Sequence, residues 1–180
     1  MKKYNTIFIL IFTFFSFIFI TGCAGIFSKY HPTFEYDLTL NTVSKSHPIL
    51  VYQFRNDSSS GARFQYKEKF GSIVQDPYNA WVSEPGRLVT RGLNYALNSD
   101  GNTPSYIVTG SIDTFEVDKV KSIFYFSGFY SFIRPKRTED VRFSIEIPIK
   151  DLTPENIATA ASKAVRSLAL RIISTTPTSK

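Results

Sequence analysis

The first two dozen residues constrain this chain more than any others. Met1-Lys2-Lys3 is a short basic start, and Ile7 to Ile20 is an almost unbroken apolar run rich in Ile and Phe. The run closes on Thr21-Gly22-Cys23, which holds the only cysteine of the sequence. Basic start, apolar run and small residues in that order are a secretory signal, so residues 1–22 are expected to be cut away. A spanning helix fits less well. Crossing about 30 Å of hydrocarbon takes roughly 20 apolar residues, and this run is shorter and ends in Thr-Gly. One cysteine allows no disulfide within the chain and leaves only a bridge between chains. What remains is about 160 residues, one ordinary domain, long enough to bury a core without covalent staples.

Ile20-Thr21-Gly22-Cys23 has the form of a lipobox. The Cys23 thiol is expected to carry diacylglycerol and, after cleavage before it, an acylated amino group. Residues 23–32 then form a lipidated tether, in which Ala24 to Pro32 spans at most about 30 Å. Ala24 is not an Asp retention signal. This favours the periplasmic face of the outer membrane, with the inner membrane and the cell surface as the other addresses. The formal charge of +6 is small and scattered, and Lys2 and Lys3 leave with the signal. Such a surplus gives solubility and mild attraction to anionic surfaces. Nucleic acid is not expected, because no binding motif is present.

Along the mature chain, residues 33–174 read as one periplasmic α/β domain and 175–180 as a flexible tail. Phe34, Tyr36, Leu38 and Leu40 alternate with polar residues, which predicts a half-buried strand. Ile49 to Phe54 reads as an inner strand, Asp57 to Gly61 as a loop, Phe64 to Lys67 as a short strand and Tyr78 to Val82 as an extended piece. A first helix is predicted near Ser83. Ser83 would act as its cap, Pro85 would sit in its first turn, and Gly92 would pack closely on a sheet. Tyr106 to Asp118 is a long strand whose alternation breaks after Ile112, which predicts a bulge or bend. Ser122 to Ile133 and Val141 to Ile149 are two more strands, joined by the charged turn Arg134 to Asp140. In the second of these, Val141, Phe143, Ile145, Ile147 and Ile149 mark one core face. Thr153 as N-cap and Pro154 at the first helical position open a closing helix.

The residues do not assemble into a catalytic signature. His31 and His47 have no cysteine or acidic cluster at metal-ligand spacing, and Cys23 is occupied by lipid. The chain has neither a Gly-x-Ser-x-Gly elbow nor a phosphate-cradling glycine loop. On a regular strand Asp113 and Glu116 point to opposite faces and read as solvated charges. The expectation is a protein that is not an enzyme, with no metal and no cofactor beyond the lipid on Cys23.

The segment 122–133 is unusual in being apolar on both parities. Ile123, Tyr125, Phe129 and Ile133 occupy one, and Phe124, Phe126, Tyr130 and Phe132 the other. A sheet covered by helices on one side needs one apolar face, so the surplus is either a second buried layer or an exposed patch. Phe124, Phe126, Tyr130 and Phe132 are the candidates for contact with a partner, a second copy or lipid.

Tyr78-Asn79-Ala80-Trp81-Val82-Ser83-Glu84-Pro85 has the form Tyr-x-x-Trp-x-x-x-Pro ahead of a helix. With Phe115-Glu116 and the Ala-rich closing helix, it resembles the auxiliary lipoproteins of ABC-type transport systems. These include the PqiC type, which works with MCE-domain lipid-transport proteins. The resemblance runs from about Leu50 to Ile173. It implies an α/β (α+β) two-layer sandwich, with an antiparallel-rich mixed sheet and two main helices on one face. It also implies a docking component for envelope lipid transport, with ABC and MCE proteins as partners and Tyr78, Trp81 and Pro85 as contact residues. The same three residues also fit a purely structural role, anchoring the loop to the helix. An envelope lipoprotein that binds proteins without any transport role is the other functional reading.

Overall fold

The computed structural model describes residues 33–43, 49–97, 106–133 and 140–176. The signal, Cys23, the tether, His31, His47, residues 134–139 of the charged turn and residues 177–180 lie outside the described residues. The chain forms β1 (Phe34–Tyr36), β2 (Ile49–Asn56), β3 (Arg63–Lys67), β4 (Ile73–Trp81), α1 (Pro85–Leu97), β5 (Tyr106–Asp118), β6 (Ile123–Phe132), β7 (Asp140–Pro148) and α2 (Pro154–Ser174). The strands make one mixed seven-stranded sheet in the order β1-β4-β3-β5-β6-β7, with β2 also on β5. Both helices pack on the same apolar face, as expected for a two-layer α/β sandwich.

The sheet is organised by β5. One of its edges pairs antiparallel with β6 from Val108↔Phe132 to Asp118↔Ile123. The other is shared: β2 runs parallel to its first half, and β3 runs parallel to its end through Tyr66↔Val117 and Lys67↔Asp118. β2 is therefore paired to a single strand here, where its apolar run had suggested an inner position. Between β2 and β3 the chain leaves the sheet as the Ser-rich loop. Loop groups occupy the break, with the Asp57 N–H donating to Ile112 O at 3.0 Å and Ser60 Oγ to Gln65 Oε1 at 2.9 Å. Here β5 itself bulges: its register on β6 slips between Ile112 and Thr114, where the alternation of the sequence breaks.

The first predicted strand stops early. Only Phe34–Tyr36 pairs, parallel to Asn79–Trp81 of β4. Residues 37–43 instead cross the helices as a strap, held by Thr39 N–H to Ser162 Oγ at 3.0 Å and Val43 N–H to Ala96 O at 3.0 Å. Gly92 is close-packed beneath this strap. A Cβ there would sit 2.8 Å from a Leu40 methyl and 3.0 Å from one of Leu38, so the neighbour that requires glycine is the strap and not the sheet.

α1 starts at Pro85, with Glu84 O accepting the first helical bond from the Leu88 N–H at 2.9 Å. That leaves Ser83 one residue short of the cap position, and its buried hydroxyl has no partner. The sequence had pointed to Ser83 as the cap. α2 begins as expected, with Thr153 accepting from the Asn156 N–H and Pro154 at the first position. Its end is held as well. The Tyr130 hydroxyl and Thr175 Oγ1 share a hydrogen bond of 2.7 Å, which ties Thr175 to β6.

Gly128 on β6 faces the β5 bulge, and a Cβ there would lie 2.0 Å from Ser111 O. Gly128→Ala is expected to destabilise the domain by about 1–3 kcal/mol through forced strand separation. Urea unfolding of the variant checks this.

Candidate functional site

The Tyr-x-x-Trp-x-x-x-Pro element is built on a local disruption of β4. Opposite β3 the register jumps from Gln65↔Gln75 to Arg63↔Ala80, so residues 76–79 are looped out of the ladder. Asp76 fastens that loop. Its carboxylate accepts from the Tyr78 N–H at 2.8 Å, the Asn79 N–H at 3.0 Å, Asn79 Nδ2 at 2.9 Å and the Tyr66 hydroxyl at 2.9 Å. Arg63 closes the other side by donating to Asp76 O at 3.1 Å and Pro77 O at 2.6 Å. Burial alone would raise the Asp76 pKa. The four hydrogen bonds outweigh it and hold the carboxyl below its ordinary value. The Tyr66 hydroxyl is pushed upward, first by burial and then by its bond to Asp76.

The three resemblance residues separate in space. Tyr78 stands on the loop, 44% exposed, while Trp81 is 3% exposed and Pro85 is buried. Trp81 packs on Phe64 in a tilted pair at 4.3 Å and meets Phe115 edge-on at 5.3 Å. Phe115 in turn meets Phe124 at 4.9 Å and Phe126 at 5.5 Å, and Phe126 meets Phe143 at 4.9 Å. These rings form a continuous line through the core from β4 to β7. Trp81 and Pro85 therefore anchor the start of α1, and of the three only Tyr78 offers a ring to solvent.

The same line corrects the contact assignment on β6. Phe124, Phe126, Tyr130 and Phe132 are core residues, none more than 8% exposed, and are not available as a surface patch. The reason lies in pairing: Phe124 faces Ile147, Phe126 faces Ile145 and Tyr130 faces Val141, which belong to the single apolar face of β7. The other parity takes the outer side. Ile123, Tyr125 and Phe129 are half-buried and Ile133 is exposed, beside Ile107 of β5 and Leu50 of β2. Among the described residues no helix packs on this side of the sheet.

Charges on the outer side are paired or isolated. Asp113 faces outward 3.9 Å from Arg142, and the bulge brings Glu116 to the same side, against the regular-strand expectation that the two point to opposite faces. The pKa of the Glu116 carboxyl is raised by burial, with Lys67 opposing. Among the described residues no group of three or more His, Asp or Glu side chains could hold a metal ion. The clefts flanking the strap, 330 and 520 Å³ in volume, are open and lined by residues such as Arg91, Tyr95, Glu155 and Lys163. No described helix is long and apolar enough to cross a membrane.

No protein-family model and no curated protein matches this sequence. Solved structures do match its fold. A crystal structure described as that of an uncharacterized protein superposes with a TM-score of 0.63 at 13% identity, covering 79% of this chain and 97% of its own. Protein XCC0632 from Xanthomonas campestris, of family DUF330, superposes with a TM-score of 0.58 at 11% identity, covering 78% and 92%. At such identities the likeness is one of architecture.

Asp76→Ala is expected to cost about 1–3 kcal/mol at neutral pH, by stranding the donors of Tyr66, Tyr78 and Asn79. Because the folded carboxyl titrates below its unfolded value of about 3.9, this stabilisation is full above that pH and is lost as pH falls through the folded pKa. Unfolding curves of wild type and variant should therefore converge in acid.

Proposed function

We propose that this chain is a lipid-anchored, non-catalytic docking subunit of an ABC/MCE-type envelope lipid-transport system. The lipobox at Cys23 supports the anchor, and triple acylation exceeds the two signals that stable membrane attachment needs. The Tyr78–Trp81–Pro85 element and the resemblance it carries support the system. The single observation behind docking is the uncovered side of the sheet. β6 is apolar on both parities while helices cover one, leaving Tyr125, Phe129 and Ile133 without a layer among the described residues. Soluble monomers seldom keep large contiguous apolar patches, and those that persist mark interaction sites. The occupant argued for is a protein subunit of the transport assembly, carried to the same membrane by the anchor.

The test uses charge substitutions that the sheet can accept. Phe129→Glu lies opposite Arg142, and Tyr125→Lys lies between Glu116 and Glu146. The double variant should keep the melting temperature within a few degrees, since outward positions away from the core cost little. It should also lose co-purification with ABC and MCE proteins from cross-linked membranes. Undiminished co-purification would sink the docking role, and loss of folding would place these rings in the core.

A further inference from the structure

Three turns meet at one end of the sheet. β3 and β5 run parallel and in step to Lys67↔Asp118, so the turn after β3 (68–72) lies beside the turn after β5 (119–122). The Lys119 N–H donates to Lys67 O at 3.0 Å across them. The third is the loop after β7, tied in by the Ile149 N–H to Ser122 O at 2.8 Å. Each turn raises a large apolar side chain within two residues of a lysine. Phe70 follows Lys69 and is fully exposed, Val120 lies between Lys119 and Lys121 at 59% exposure, and Leu152 lies two residues after Lys150, beyond Asp151, at 38%. Phe70 also holds a left-handed backbone, φ 64° and ψ 15°, which costs a residue with a Cβ about 1–2 kcal/mol and which Gly or Asn would adopt more readily.

Acidic groups at this end are largely engaged. Glu68 pairs with Lys119 at 3.0 Å, and buried Asp118 accepts the Val120 and Lys121 N–H groups at 2.9 Å. Asp151 is exposed, while Glu116 and Glu146 sit further back beside Tyr125. Lys69, Lys121 and Lys150 are exposed at this end, and Lys121 Nζ donates to the Tyr125 hydroxyl at 3.3 Å.

We infer that this three-turn end is a bilayer-contact surface. Phe70, Val120 and Leu152 enter the headgroup–acyl boundary, and these lysines meet anionic headgroups. Apolar side chains at that depth gain by leaving water, and each nearby lysine adds about 1 kcal/mol on an anionic leaflet. The proposal rests on the acylation of Cys23 to bring the domain to a membrane, and it orients the domain there with its long strands rising from the surface. The C-terminal end of α1 then lies far from lipid. Asn94 bonds Val51, which pairs with Val108, and ten residues of β5 separate that level from the tip, about 30 Å.

The test is made on the full acylated protein carrying Val120→Cys. Acylation occupies Cys23, so residue 120 is then its only free thiol, and intact mass verifies the acyl chains. An environment-sensitive dye at residue 120 should blue-shift and be quenched by nitroxide lipids in vesicles containing phosphatidylglycerol. Adding Phe70→Asp, Lys69→Glu and Lys121→Glu should abolish both effects, and the same dye at Tyr95→Cys should show neither. The inference is overturned if residue 120 stays as wet as residue 95 in acylated protein, or is shielded only when a partner protein is added. A purified chain lacking the acyl mass overturns the anchoring reading instead, and that mass distinguishes the two failures.

Discussion

The antiparallel pairing of β5 with β6 is the constraint on which the rest of the structure depends. Its length sets the height of the sheet, and its slip at Asp113 decides which residues face the helices after the break. If the strand ran through Asp113 without the slip, Phe115 and Val117 would face outward and the ring contacts of Phe115 with Trp81, Phe124 and Phe126 could not form. The same slip leaves room for the loop between β2 and β3. Gly128 permits the close approach at that point, since any side chain on it would meet the β5 backbone.

Where one parity or one cap was chemically distinct, the sequence was easy to read. The bulge after Ile112, the single apolar face of β7 and the Thr153-Pro154 start of α2 each left a signal in residue type and spacing, and each is present. β6 was ambiguous because both of its parities are apolar. The information that resolves it lies in its neighbours. Val141, Phe143, Ile145 and Ile147 on one side, with Val108, Phe115 and Val117 on the other, require Phe124, Phe126 and Tyr130 to face inward. Helix α1 misled for a different reason: Ser83 and Glu84 are adjacent and both plausible at a helix start, and the Pro85 position determines that Glu84 takes the cap. The three-turn end was invisible along the chain, because Phe70, Val120 and Leu152 come together only through the parallel register of β3 on β5 and the bond from Ile149 to Ser122.

The domain emerges with two different surfaces and a division of labour between them. Trp81, Pro85 and the inward rings of β6 serve the core, so the resemblance residues act mainly by fixing how α1 leaves the sheet. The proposed contacts fall elsewhere: protein on the outer sheet face, lipid at the lysine-bearing turns, and a covalent anchor at Cys23. An anchored domain that touches the membrane with one end and presents a sheet face sideways is suited to hold a partner at a fixed height above the bilayer.

The two parities of β6 are proposed to have separate roles, core for one and partner contact for the other. Oxidative footprinting of the protein in intact cells and after purification tests it most directly. Tyr125 and Phe129 should be shielded in cells and become reactive once purified, while Phe126 and Tyr130 stay protected in both. Equal reactivity of Tyr125 and Phe129 in the two states, or oxidation of Phe126 and Tyr130 in the folded purified protein, would contradict it.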